Sequence, residues 1–321
     1  MVPARALKMK GKGTTAALLA CALMLGACDK GEDEAAARAA AEARARAFAA
    51  SEKPWRDERV AELTAPEGWT SVVGLHWIER GSHYAGTAGS NGIRMAKGPE
   101  HFGMLDLGAD GHVRFVPDKG TAFTLDGAPL TGAVVLKSDA DEGGPNKIGF
   151  DDGKGVATII KRGDRFALRV KHGDAEARAH FAGIQYWPGG PEWKVTGRFV
   201  PHPAGTTLPI VNIVNMVEQV ANPGAVEFTH AGKTHRLELL DQGEPTLFLV
   251  FADRTSGHGS YPAGRYLDLA RPAANQQITI DFNRAENPPC AFTAFATCPL
   301  PPVANRLDLA VEAGERVYAK H

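Results

Sequence analysis

The sequence predicts an all-β protein: an N-terminal β-sandwich and a C-terminal β-sandwich or barrel, behind a helical stalk. Beyond Trp69 the 321-residue chain breaks into short apolar runs separated by glycine and polar turns, the spacing of all-β folds. No segment past Trp69 sustains a 3.6-residue apolar period. Strand patterns do not alternate with helical ones, which excludes a doubly wound α/β sheet.

The N-terminus has the parts of a secretory signal peptide over residues 1–27. Arg5, Lys8, Lys10 and Lys12 form a basic start, and Thr14 to Leu25 an apolar stretch shorter than the roughly 20 residues a membrane span needs. Leu25-Gly26-Ala27-Cys28 matches a lipobox, so Cys28 is the expected lipidation site. Leu18-Leu19-Ala20-Cys21 is a weaker match, because cleavage there leaves an apolar core of barely two turns. The expectation is a lipoprotein of the cell envelope, tethered by acyl chains, palmitate among them, to a membrane facing the periplasm. Removing residues 1–27 leaves 32 Lys+Arg against 37 Asp+Glu and moves the formal charge from −1 to −5. That balance argues against a nucleic-acid partner, which wants a basic face.

Residues 28–63 follow as a tether. The run from Glu32 to about Leu63 is rich in Ala, Glu and Arg, which are strong helix formers. It lacks a wide apolar stripe before Phe48, so its first half reads as a solvated stalk, and Pro54 is expected to interrupt it.

The β region divides at a connector, Phe181–Pro191, into units over residues 64–185 and 186–321. Expected strands in the first are Thr70–Trp77, His112–Val116, Val134–Leu136, Val156–Lys161 and Phe166–Val170. In the second they are Trp193–Val200, Ile210–Val217, Val226–His230, His235–Leu240, Leu247–Phe251 and Gln276–Phe282. Gly81, Gly86, Asn91-Gly92-Ile93, Leu125-Asp126-Gly127 and Val135-Leu136 give the first unit a strand order that resembles forkhead-associated sandwiches. The phosphothreonine-reading Arg and Ser are absent, since Gly86 is followed by Thr87, so the resemblance carries architecture only.

The most informative stretch runs from Gln276 to Arg306. On a strand Ile278, Ile280 and Phe282 share one face and Gln277, Thr279, Asp281 and Asn283 the other. That polar face is either solvent or the lining of a cavity. Five prolines between Pro288 and Pro302 remove five backbone donors and forbid regular pairing. With Phe292 and Phe295 inside it, such a segment packs over the mouth of the fold and holds Asn283, Arg284 and Asn287. Cys290 and Cys298 remain once Cys21 leaves and Cys28 is lipidated. In an oxidising compartment they are expected to pair, a bond contributing about 2.5 kcal/mol if unstrained.

The run DFNRAENPPCAFTAFATCPLPPVANRL, followed by Ala313-Gly314-Glu315, resembles the signature of the bacterial family called domain of unknown function 1684. Gly74-Leu75-His76-Trp77, Asp253-x-Thr255-Ser256-Gly257, Tyr261 and Gly264-Arg265 match it as well. The resemblance covers roughly Trp55 to the C-terminus and departs from the family at Glu286, where an aromatic is common. It implies a fold unit and no activity.

Asp253 follows an apolar strand and either caps its own turn or serves as an acid at the strand end. Arg265 either forks onto an anion or pairs with Asp281 or Asp253. His76 is either a cavity-facing base or a structural histidine. His230 and His235 flank a hairpin turn without a third metal ligand in reach, so no metal and no cofactor is expected. There is no G-x-S-x-G elbow, phosphate-binding loop, dinucleotide fingerprint or H-E-x-x-H string, and Ser256 with His258 has no inherent triad geometry. Three functions remain. One is a tethered module binding a small polar or anionic ligand through Asn283, Arg284, Asn287, Arg265 and Tyr261. The second is a hydrolase or lyase using Asp281 or Asp253 with His76. The third is a structural envelope lipoprotein.

Overall fold

The computed structural model describes residues 1, 16–272 and 276–318, with side chains from residue 34 onward and at Met1. Most of the signal-peptide reading therefore falls outside the described residues, as does the Cys28 side chain. The chain forms two compact units, Met1–Pro54 and Trp55–His321.

Helix α1 (Ala16–Thr64) contains Pro54 within it, so the expected interruption does not occur. Pro54 is exposed, and the helix-forming residues on either side carry the ladder past its missing donor. Residues 34–47 are all exposed, as a solvated stalk requires. Among the described residues no helix is long and apolar enough to cross a membrane.

The second unit opens with the last ten residues of α1 and continues as a sandwich. One sheet has six strands in the order β1 (Val72–Ile78), β11 (Arg165–His172), β10 (Gly155–Arg162), β9 (Ile148–Phe150), β6 (Phe123–Leu125) and β7 (Ala128–Leu130). The other has five: β3 (Ile93–Arg94), β2 (Gly81–Gly86), β4 (Gly103–Leu107), β5 (Val113–Pro117) and β8 (Val134–Leu136). Alternation sends Leu105, Leu107, Val113 and Phe115 inward from the second sheet to meet Ile148, Phe150, Ile159 and Leu168 from the first. Phe102 stands between the sheets, 5.0 Å from the Phe115 ring and 5.3 Å from that of Phe150. These side chains form one continuous apolar core, the physical reason the two sheets stay together.

After a short helix, α2 (Glu176–Ala179), and an irregular connector, the third sheet forms. Its order is β17 (Arg265–Ala270), β16 (Thr246–Phe251), β15 (Lys233–Asp241), β14 (Val217–His230), β12 (Lys194–Pro201) and β18 (Gln277–Asp281), with β13 (Thr207–Val211) on β14. The end strands β17 and β18 lie side by side, so the sheet is nearly closed into a barrel. The expected strand Ile210–Val217 is split: Ile210 and Val211 end β13, Val217 opens β14, and residues 212–216 form the turn between them. Asn212 accepts there from the backbone N–H groups of Val214 and Met216 at 3.1 and 3.0 Å, and an asparagine side chain that bonds forward in this way makes a turn.

The proline-rich segment closes one end of the barrel without a regular strand. Leu307, Val311 and Ala313 enter the core formed by Phe228, Leu249, Phe251 and Phe282. β15 and β16 pair at Leu240 and Phe248 alone. Asn305, wholly buried, bridges them by donating to the carbonyls of Glu238 and Val250, each at 2.9 Å. Gly264, at φ +94°, leaves no room for a side chain: a Cβ would lie 2.5 Å from the Phe251 carbonyl oxygen. The two cores are distinct, yet residues 55–321 make one compact unit. Thr297 accepts from Arg162 Nε at 2.9 Å, one of the ties across the expected boundary.

Candidate binding cavity

The signature residues divide into those that brace the barrel and those that face a cavity. Arg265 braces. It has no exposed surface, and its Nη2 donates to Asp253 Oδ2 at 2.6 Å and to the Val311 carbonyl at 2.9 Å. Its Nη1 donates to the Ala313 carbonyl. Burial pulls this guanidinium below its ordinary pKa, and the Asp253 carboxylate opposes that pull. Asp253 accepts through its other oxygen from the Thr255 N–H and hydroxyl, both at 2.5 Å. Arg265 and Asp253 therefore pair with each other, in a place no ligand reaches without unfolding the C-terminal segment.

Asn283 braces a second point. Its amide exchanges two hydrogen bonds with the backbone of Gly190, at 3.0 and 2.9 Å, and donates to Asp281 Oδ1 at 3.0 Å. Asn287 is 1% exposed and donates to the Arg316 carbonyl at 2.7 Å, while its N–H donates to Glu315 Oε2 at 2.7 Å. Glu315 is wholly buried and accepts on Oε1 from Arg59 Nε at 2.9 Å. Arg59, in the last turns of α1, also donates to the Asn287 carbonyl at 3.0 Å and meets Glu286 Oε2 at 3.0 Å. Burial works against the charge on Arg59, but Glu315 and Glu286 outweigh it and raise its pKa.

Above this network lies a cavity of about 320 Å³. Trp55, Glu58, Arg59 and Glu62 from α1 form one wall; Leu267 and Asp268 of β17 with Arg284 and Glu286 form the other. Six of these eight side chains are charged, four of them carboxylates. Burial pushes the Glu286 carboxyl up to about 7; Glu315, Asp268 and Glu62 add to the shift and Arg59 resists it. Burial raises Asp268 as well, with help from Glu244. Arg284 sits with its guanidinium carbon 5.9 Å from the Trp55 ring centre and its Nε 3.9 Å from Asp281. A recess of about 430 Å³ at β2 and β4, lined by Tyr84, Asn91, His101 and Asp118 among others, gathers only one histidine and one acid.

Of the residues the sequence singled out, Arg284 alone lines the charged cavity. Asp281 stands behind it, bonded to Asn283. Tyr261 donates to the Cys290 carbonyl at 3.2 Å and packs beside Phe292 and Leu63. His76 lies on β1 in the sandwich, its Nε2 buried without a partner and its pKa lowered by that burial; no contact joins it to Asp253 or Asp281. His230 stacks on Trp193 and His235 on Phe228. Among the described residues no His, Cys, Asp and Glu cluster suits a metal ion. Cys290 and Cys298 are free thiols, without the expected disulfide bond between them. They are adjacent, since the Cys290 N–H reaches Cys298 Sγ at 3.1 Å. The hydrogen bond from Cys298 draws the Cys290 thiol down to about 7 and raises Cys298. Reading the sequence missed Glu58, Arg59, Glu62 and Asp268, and marked Glu315 only as part of the motif. Glu286 was noticed only as a departure from the motif.

Residues 179–316 match the family described as protein of unknown function, DUF1684. An uncharacterized protein of Haloarcula marismortui, solved by solution NMR, is 30% identical; the match covers 45% of this chain and 81% of that one, with a TM-score of 0.37. A crystal structure of Rad53 1-466 in complex with AMP-PNP is 11% identical over 71% of this chain and 51% of that one, with a TM-score of 0.17. No curated protein matches. The signature stretch from Asp281 through Glu315 lies inside the matched region, and the chain belongs to the DUF1684 family of uncharacterised proteins.

Proposed function

We propose that the protein is an envelope lipoprotein, held to a membrane through Cys28, which binds a small charged polar ligand in the cavity between α1 and β17. One observation carries the binding reading: six charged side chains line about 320 Å³, and one of them, Glu286, has its carboxyl pushed up to about 7. Surface charges rarely suffer such a shift, whereas groups gathered for ligands or chemistry do. The buried Arg59–Glu315 pair fixes the wall that presents them. In the oxidising compartment that lipidation implies, the adjacent Cys290 and Cys298 thiols are suited to pair and to stiffen the segment beneath the site.

An enzymatic reading in the same cavity is favoured by a carboxyl poised near neutrality, which suits general acid–base work. It would run through Glu286 rather than through Asp253, whose oxygens are committed to Arg265 and Thr255. The test is a thermal-shift screen of small charged metabolites on the full chain, repeated with Arg284→Ala. At least one compound should raise the melting temperature of the parent and lose its effect in a variant of unchanged stability. No stabilising compound, together with an Arg284→Ala variant that alters neither stability nor any phenotype of a deletion strain, rules the cavity out as a binding site.

A further inference from the structure

Cys290 and Cys298 bound a loop that is tied down without any bond between them. The Ile213 N–H donates to the Cys298 carbonyl at 2.9 Å, Thr297 accepts from Arg162 Nε at 2.9 Å and Thr293 donates to the Val72 carbonyl at 3.4 Å. The two sulfurs are thus held together as thiols, Cys290 partly exposed and Cys298 buried. Their surroundings favour a single negative charge on the outer sulfur. Hydrogen bonds from Cys298 and Tyr261 draw the Cys290 thiol down to about 7 against the opposing effect of burial. Hydrogen bonding to Cys290, burial and the charge on Cys290 keep the proton on Cys298, with Tyr266 and the Cys290 N–H opposing them. An independent observation lies on the sandwich. Arg169 of β11 has its Nε buried without a hydrogen-bond partner, and burial pulls its guanidinium down to about 10. Arg162 adds to that pull; Asp139 resists it but is itself bonded to Arg162 at 2.7 Å. The other group that raises Arg169 is Cys298. The Trp69 ring, 5.3 Å away, gives the guanidinium an aromatic face and no acceptor. A desolvated cation without a carboxylate is costly, and a sulfur anion is the counter-charge that this position offers.

We infer that Cys290 and Cys298 form a thiol–disulfide exchange site for small-molecule disulfides, with Cys290 as the attacking sulfur, Cys298 as the resolving one and Arg169 as a positioning residue beside them. The site is separate from the cavity proposed above and does not depend on it. The Cys290 thiolate attacks one sulfur of the incoming disulfide. A Cys290–substrate S–S bond forms, the substrate's own S–S bond breaks, and the departing sulfur leaves with the electron pair. Cys298 then gives up its proton and attacks the Cys290 sulfur. The Cys290–Cys298 bond forms and the second substrate sulfur leaves as a thiolate. The substrate gains two electrons, the cysteine pair loses two, and the two thiol protons end on the released sulfurs. An attacking thiol serves best when it titrates near the ambient pH, as Cys290 does. The charge interactions of the reduced pair vanish when the bond forms, and whatever stabilises the dithiol makes the disulfide easier to reduce. Cys290 is recessed, with the Tyr261 hydroxyl on its carbonyl, so a small disulfide reaches it more readily than one fixed in a protein.

The experiment equilibrates the full chain in detergent with mixtures of reduced and oxidised glutathione at pH 7, followed by acid quenching, alkylation and peptide mass spectrometry. Cys290 and Cys298 should pass from dithiol to disulfide within the range of those mixtures. A bond that persists in a large excess of reduced glutathione marks a structural staple and overturns the inference, as do thiols that stay free in oxidised glutathione. Cys298→Ser should accumulate a glutathione mixed disulfide on Cys290, and Cys290→Ser should accumulate none; the opposite result overturns the order of attack. Iodoacetamide labelling of Cys290 should reach half its maximal rate at a pH of about 7, against about 8.5 for an ordinary thiol. Arg169→Met should move that midpoint upward and slow the exchange without lowering the melting temperature, since it removes an unpaired buried charge. An unmoved midpoint overturns the role of Arg169. Insulin, whose disulfides sit in a protein, should react no faster than oxidised glutathione, and faster reaction overturns the small-molecule class.

Discussion

Single residues in the signature carry opposite roles despite similar chemistry. Arg265 and Arg284 are both arginines of one motif; one is sealed against Asp253 and the other half-exposed over Trp55. Arg265→Ala strands a buried Asp253 carboxylate, and removing one partner of such a pair costs about 3–5 kcal/mol. Chemical denaturation should show that loss, and Arg265→Lys should not restore it, because one ammonium cannot reach Asp253 and the carbonyls of Val311 and Ala313 together. Glu286 sets a pH signature. Its carboxyl moves from an ordinary 4.5 to about 7 on folding, so between these values the folded chain keeps a proton that the unfolded chain has lost. Stability therefore falls as pH rises from about 4.5 to 7 and levels off above. Melting temperatures at pH 5 and pH 8 should differ less in Glu286→Gln than in the parent. An identical difference would mean that Glu286 titrates normally.

At the scale of elements, the strands follow from local pattern and the barrel's closed end from one side chain. β15 and β16 separate beyond a single pair, and Asn305 spans the gap with three hydrogen bonds, one accepted from the Glu238 N–H at 2.7 Å and two donated to carbonyls. Asn305→Ala leaves those buried backbone groups unmade, at about 1–3 kcal/mol for each. The loss should appear as faster amide exchange in Glu238 and its neighbours as well as lower overall stability. The Cys290–Cys298 segment gives a second test. Non-reduced peptide mapping of protein taken from the envelope should join the two cysteines. Two free thiols there would show that apolar packing of Phe292 on Leu63 holds the segment without a covalent bond.

For the whole molecule, the stalk and the body raise separate questions. Cys28→Ala should abolish lipid labelling and leave precursor or soluble protein; continued labelling would move the anchor to Cys21. The body has two apolar cores within one compact unit. Calorimetry of the chain should therefore show one cooperative transition for residues 55–321. Two transitions would support the boundary near residue 185 that the connector suggests.

Period-two patterning, glycine turns and the absence of helical periodicity are local, so the sequence by itself determined the all-β class, the helical stalk and the family motif. It also marked the Gln276–Arg306 stretch as the place where polar and apolar residues crowd together. What it left open was which polar residues are used up, because the partners are remote. Arg59 meets Glu315 across 256 positions and Asn283 meets Gly190 across 93, and no periodicity encodes such pairings. Only the nearly closed barrel, by bringing the end of α1 and the C-terminal segment beside β17, decided that Asp253, Arg265, Asn283 and Asn287 brace the fold. The same closure gathered Glu58, Glu62, Asp268 and Glu286 around a shared space, where burial and mutual repulsion hold Glu286 near neutrality.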